Sequence, residues 1–149
     1  MKILAIIVSY NFTKWIDKCL GSLKDSSIPV DIIVLDNGSK DDTVKILRER
    51  YPEITLLENK DNLGFGKANN MGLHKADRED YDGVLLLNQD AWIDANTLAA
   101  LVAASHKHPD YGILSPIHLT GSGDKIEQGF SAYSGLSDLQ QRPEEEVIE

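Results

Sequence analysis

The sequence predicts an α/β fold: a doubly wound, mostly parallel sheet with helices on both faces. Two observations carry this expectation. Short apolar runs alternate with helix-period segments from residue 3 to about residue 119, joined by short loops. The runs at 3–8 and 84–87 are continuously apolar rather than alternating, the pattern of strands buried on both faces. Parallel strands need crossovers, and right-handed helical ones fill that role.

The first strand is expected at 3–8, rich in β-branched residues. A helix follows over about 13–24, with Trp15, Ile16, Cys19, Leu20 and Leu23 at helical spacing, and Ser26-Ser27-Ile28-Pro29 stops it. The second strand, 31–35, ends in Asp36-Asn37-Gly38-Ser39. Asp41 or Asp42 then caps a helix carrying Val44, Ile46 and Leu47, closed by Pro52. The third strand lies at 54–57, and Gly64-Phe65-Gly66 opens a helix to about Ala76. A fourth strand at 84–87 has no polar residue and is expected in the middle of the sheet. Asp94 caps a helix with Leu98, Leu101 and Val102 on one face. Short strands are expected within 111–119, interrupted by Pro116, and at 126–130. Residues 140–149 read as a polar, acidic, frayed end.

With 149 residues, 42% hydrophobic and 26% charged, the chain has the composition of one globular domain of ordinary size. A formal net charge of −9 with no basic cluster argues against nucleic acid and against anionic membrane surfaces as partners. A negative chain binds an anionic nucleotide only with backbone N–H groups or a metal ion to offset the charge. The single cysteine, Cys19, excludes an internal disulfide framework and makes the cytoplasm the default compartment. No run approaches the roughly 20 apolar residues of a membrane-spanning helix.

In an open parallel sheet, ligands bind at the carboxyl ends of the strands. The four segments that follow the four strands are Ser9-Tyr10-Asn11, Asp36 to Asp42, Asn59 to Gly66, and Asn88-Gln89-Asp90. All are polar and rich in Asp, Asn or Gly. Each alone is an ordinary turn, and Asp36-Asn37-Gly38-Ser39 reads better by itself as an Asx turn leading into a helix. Four of them converging on one edge form a candidate site.

Val8-Ser9-Tyr10-Asn11, Val34 to Ser39 with Asp42-Thr43, Asn62 to Asn70, and Leu87-Asn88-Gln89-Asp90 occur in that order. The set resembles the donor-binding half of glycosyltransferase family 2, with the GT-A fold, and especially its rhamnosyltransferase-like members. The resemblance covers residues 3 to about 119. It implies nucleotide-sugar donors (UDP- or dTDP-sugars), a divalent metal (Mg²⁺ or Mn²⁺) on the diphosphate, inversion at the transferred sugar, and a role in polysaccharide biosynthesis with a glycan or lipid-linked glycan as acceptor. Residues 1–119 are then the donor-binding domain and 120–149 a partial extension.

The resemblance also implies roles. Asp36 accepts the N3–H of a pyrimidine base, with Ser9 and Asn11 lining the same pocket. Gly66 lets backbone approach the nucleotide, Asn70 reaches it from one helical turn on, and Lys67 contacts phosphate, standing where relatives often carry Arg. Asp90 binds the metal through a hard carboxylate oxygen, and Asn88 stands where an Asp is usual. An inverting transfer also needs a general base, which the family places beyond this chain. Glu144, Glu145 and Glu146 read as a solvated charge run instead. The expectation is therefore an inverting glycosyltransferase present as a fragment or short form. The alternative is a non-catalytic nucleotide-sugar-binding module. A cytoplasmic location is expected, with attachment at the inner membrane face only through partners.

Overall fold

The computed structural model describes residues 1–139. The acidic stretch with Glu144, Glu145 and Glu146 lies outside the described residues. The chain divides into two compact units, Met1–Lys107 and a second beginning at His108.

In the first unit the order is β1 (Ile3–Ser9), α1 (Ile16–Lys24), β2 (Asp31–Asp36), α2 (Thr43–Arg50), β3 (Thr55–Glu58), α3 (Phe65–Arg78), β4 (Gly83–Leu86) and α4 (Thr97–Lys107). The four strands form one sheet in the order β3-β2-β1-β4, and every pairing is parallel. Successive side chains of a strand point to opposite faces, and both faces of β1 are buried. Ala5 and Ile7 pack with Ile16, Cys19, Leu20 and Leu23 of α1 and Leu47 of α2. Leu4 and Ile6 pack with Ile33, Leu35 and, from α3, Ala68 and Ala76.

The winding follows from this partition. From β1 the chain steps outward to β2 and β3, with α1 and α2 on one face. It then returns across β1 to β4, and α3 covers the other face. Crossovers of one hand require that change of face when the direction reverses. The reversal point lies between β1 and β4.

Three expectations are corrected. First, among the described residues β4 is an edge strand rather than a central one, pairing with β1 alone. Its run is apolar, yet only Leu85 and Leu87 join the core, while Leu86 is 50% exposed. Second, α1 begins at Ile16 rather than near Thr13. The Phe12 N–H is taken by Thr43 Oγ1 at 2.7 Å and the Thr13 hydroxyl by Asp41 Oδ2 at 2.9 Å, so these residues tie to α2 before the helix starts. Third, the second unit carries no strand at 111–119 or 126–130, only an isolated antiparallel bridge between Leu119 and Ile126. Residues 128–134 instead form α5 (Gln128–Ser134). Glu127 caps it by accepting the Phe130 N–H at 2.8 Å, and left-handed Gly135 ends it.

Candidate functional site

The carboxyl ends of β1 and β4 flank the reversal point, the place where open α/β sheets bind ligands. A cavity opens there, with about 270 Å³ of room for solvent, lined by Val8, Ser9, Tyr10, Asn37, Asn62, Phe65, Asn88, Gln89 and Asp90. All four strand-end segments contribute to it. Of the expected site residues, Ser9, Asn88 and Asp90 line this cavity, whereas Asn11, Asp36, Gly66, Lys67 and Asn70 do not.

Asp36 ends β2 opposite Ser9, and both are buried. The Asp36 carboxylate accepts four hydrogen bonds. Ser9 Oγ (3.0 Å) and the Ser39 hydroxyl donate to Oδ1, and the N–H groups of Gly38 (3.1 Å) and Ser39 (2.9 Å) donate to Oδ2. A carboxylate offers about four lone-pair sites, so this one is fully engaged within the protein.

Asn11 is also an organiser. It sits at φ 52°, a left-handed conformation that Asn tolerates better than most residues. Its N–H donates to Ser39 Oγ at 2.9 Å, and its Oδ1 accepts the Lys40 N–H at 2.9 Å. These bonds splice the loop after β1 to the loop after β2. Asp41 holds the start of α2, its Oδ1 accepting the Thr43 N–H at 3.1 Å. Burial pushes the Asp41 carboxyl up, but the bonds from Thr43 and Thr13 outweigh it and hold the group below its usual range.

The glycine turn opens α3. Gly64 stands at φ 81°, ψ 164°, a conformation essentially restricted to glycine. Its N–H donates to Asn62 Oδ1 at 2.9 Å. The turn leaves the amino end of α3 beside the cavity, with Phe65 on the lining. Gly66, Lys67 and Asn70 are exposed, and Lys67 forms no ion pair among the described residues.

Asn37 was not expected at the site, yet it is buried there and joins three loops. Its N–H donates to the Ser9 carbonyl at 2.8 Å, its Oδ1 accepts from Asn59 Nδ2 at 3.0 Å, and its Nδ2 lies 3.5 Å from the Gly64 carbonyl. An asparagine inside a turn-forming tetrapeptide gives no signal of such reach. Tyr10, Asn62, Phe65 and Gln89 are further lining residues, and all four lie in the strand-end segments that the sequence singles out.

The Asn88-Gln89-Asp90 turn closes with Ala91 N–H donating to the Asn88 carbonyl at 3.0 Å. Cys19 lies beneath it, its thiol donating to the same carbonyl at 3.8 Å. Burial first, and the Asp90 carboxylate second, push that thiol up to about 12. The segment beyond is fastened to α1, with the Ile93 N–H donating to Ser22 Oγ at 3.2 Å. Asp90 and Asn88 are exposed, and neither side chain is committed to another described residue.

The donor set fits a hard divalent cation. The Asp90 carboxylate and the Asn88 amide oxygen belong to a cavity with no lysine or arginine among its described lining residues. Mg²⁺ and Mn²⁺ are commonly held by one or two side-chain oxygens, with phosphates and water completing the shell. No group of three or more His, Cys, Asp or Glu suited to a closed metal site occurs among the described residues.

The family model for glycosyl transferase family 2 matches residues 4–144. An N-acetylglucosaminyl-diphospho-decaprenol L-rhamnosyltransferase of Mycobacterium tuberculosis is 31% identical over 121 residues, spanning 75% of this chain and 39% of that protein. The structure of Staphylococcus aureus TarS 1–349 with UDP superposes at a TM-score of 0.62 and 27% identity, over 73% of this chain and 33% of that one. A Pyrobaculum calidifontis mannosyltransferase in complex with GDP-Man and Mn²⁺ superposes at a TM-score of 0.58 and 26% identity, over 68% of this chain and 31% of that one. This chain thus spans well under half the length of each of these relatives. With its α/β sheet, its cavity at the β1–β4 reversal and a family match over nearly its whole length, the chain belongs to glycosyl transferase family 2.

Proposed function

We propose that this chain captures the donor of an inverting glycosyltransferase: a nucleotide sugar, UDP- or dTDP-linked, whose sugar passes to a hydroxyl of a glycan or lipid-linked glycan. The observation that carries the reading is the uncommitted Asp90 carboxylate in the cavity between β1 and β4. In this reading Asp90 anchors Mg²⁺ or Mn²⁺, and Asn88 supplies an amide oxygen beside it. The ion, when bound, neutralises charge on the departing nucleoside diphosphate. The residues of the chain do the remaining work. The amino end of α3 offers N–H groups and a favourable dipole to phosphate, and Gly66, Lys67 and Asn70 lie along that end. Ser9, Asn11 and Asp36 shape the nucleoside end, where rotation of the Ser39 hydroxyl frees a lone pair of Asp36 for a base N–H.

Donor capture is assigned to residues 1–119, with 120–149 a partial extension, in a cytoplasmic protein of polysaccharide biosynthesis. No helix among the described residues is long and apolar enough to cross a membrane. A second reading, a non-catalytic nucleotide-sugar-binding module, is favoured by one observation. Among the described residues Asp90 is the sole carboxylate on the cavity lining; committed to a metal, it leaves no described lining carboxylate as general base. Calorimetric titration with UDP, dTDP and GDP, with and without Mn²⁺, tests the common core of both readings. Metal-dependent binding of at least one nucleotide is expected, and none with any of the three would overturn it. Turnover of a nucleotide sugar by this chain would remove the second reading.

A further inference from the structure

We infer that Gln89 is a positioning residue, which sets the metal-anchoring Asp90 at a fixed distance from the nucleoside end of the site by clamping the backbone of Tyr10. The inference rests on the nucleotide-sugar reading above. Tyr10 N–H donates to Gln89 Oε1 at 2.9 Å, and Gln89 Nε2 donates to the Tyr10 carbonyl at 3.2 Å. One side-chain amide therefore meets both polar groups of a single residue 79 positions earlier in the chain.

The register explains why a side chain is needed there. β1 and β4 pair from Ile3↔Gly83 to Ile6↔Leu86, and the Leu87 N–H still reaches the Ile6 carbonyl at 3.1 Å. Beyond that point the pairing ends, and among the described residues no further backbone bond links the two strands where the cavity opens. At the same register Gln89 falls beside Ser9, one residue before Tyr10. Its amide stands in for the missing backbone partner and continues the ladder past the end of the strand. The turn that carries it is tight, closed by Ala91 N–H to Asn88 carbonyl, so fixing Gln89 also fixes the neighbouring Asp90.

The requirement is chemically narrow. Both a donor and an acceptor are needed at the end of a three-carbon reach, which excludes Asn by length and Glu by lack of a donor. Gln89 is only half-buried, so water can replace its bonds and the fold does not depend on them. What water cannot replace is the fixed geometry between Asp90 and the loop after β1. Partners that orient a metal ligand in this way typically govern metal affinity.

The test is calorimetric titration of UDP into the full 149-residue chain, with and without Mn²⁺, for wild type, Q89M and Q89S. Q89M keeps the length of the side chain without either hydrogen bond, and Q89S admits water in its place. Both are expected to lower the Mn²⁺-dependent affinity for UDP by roughly tenfold or more. Metal-free affinity should fall by less than the metal-dependent one, and the thermal midpoint should stay near wild type. If both variants keep the wild-type ratio of affinities with and without Mn²⁺, the inference is overturned. It is equally overturned if metal-free affinity falls as far as the metal-dependent one, since that pattern reports general loosening of the pocket. A wild-type chain whose UDP binding ignores Mn²⁺ overturns the metal-site reading itself, and that failure is visible without any variant.

Discussion

Ser9 and Asp36 join the carboxyl ends of neighbouring parallel strands by a hydrogen bond: Ser9 Oγ donates to Asp36 Oδ1 at 3.0 Å, across a sequence separation of 27 positions, with both side chains buried. The pair ties the end of β1 to the end of β2, and the Ser39 hydroxyl with the N–H groups of Gly38 and Ser39 completes the carboxylate's shell.

Removing the carboxylate leaves the Ser9 hydroxyl and the turn N–H groups without their acceptor. Asp36→Ala is expected to destabilise the chain by about 2–4 kcal/mol, and Ser9→Ala by about 1 kcal/mol, because the serine leaves three other donors in place. Chemical denaturation followed by circular dichroism measures both. An Asp36→Ala cost below that of Ser9→Ala would show that the carboxylate is not the hub of the turn.

Asp90 should behave in the opposite way. Its carboxylate is exposed and has no partner among the described residues, so Asp90→Ala should change stability by no more than about 0.5 kcal/mol. The same substitution should abolish the Mn²⁺-dependent part of nucleotide binding. Denaturation and calorimetry on one preparation separate the two effects, and unchanged metal-dependent binding would sink the metal assignment.

Cys19 makes the chain sensitive to alkali. Its thiol is pushed from 9.0 up to about 12, chiefly by burial, and burial likewise pushes the Tyr51 and Tyr81 hydroxyls up to about 12. Groups raised in the folded state hold their protons longer than in the unfolded chain. Their stabilising contribution is complete below the unfolded values and is lost as pH climbs toward 12. The thermal midpoint should therefore fall steadily between about pH 9 and pH 12. At pH 8 the thiol should react with a disulfide reagent only after unfolding; rapid modification of the native chain would contradict its burial.

At Gly72, α3 lies directly against Ile6 of β1. A Cβ there would lie 2.7 Å from Ile6 Cδ1 and 2.8 Å from its Cγ2, and Ile6 is fully buried. Overpacking of this kind costs about 1–3 kcal/mol, which outweighs the gain of roughly 1 kcal/mol from replacing glycine by alanine in a helix. Gly72→Ala should be net destabilising in urea denaturation, and Ile6→Val in that background should recover part of the loss. A stabilised Gly72→Ala would mean that the helix shifts to accommodate the methyl group.

The parallel sheet, its first three strands and helices, and the polar segments at the strand ends were all legible in the sequence. Their signals are local: apolar runs such as 3–8, capping and turn residues such as Gly64, and the helical spacing of Ile16, Cys19, Leu20 and Leu23. In the second unit, the short segment Ile126 to Phe130 suits a strand in length, whereas a cap at Glu127 and a left-handed Gly135 select a helix. For β4, an apolar run suits a central strand, but composition alone cannot supply the second neighbour that would bury both faces.

The sequence by itself determined that four polar turns would gather at the carboxyl edge of a parallel sheet, because that follows from strand direction and connection rules. Only the tertiary structure decided how the residues in those turns divide their work. Asp36 and Asn11 bond within the protein, while Asp90 and Asn88 line the cavity with side chains uncommitted among the described residues. That division rests in part on hydrogen-bond partners far away in sequence, such as Ser9 for Asp36 at 27 positions and Tyr10 for Gln89 at 79. A local pattern carries no record of partners at that distance, so the bonds exist only once the strands are in register.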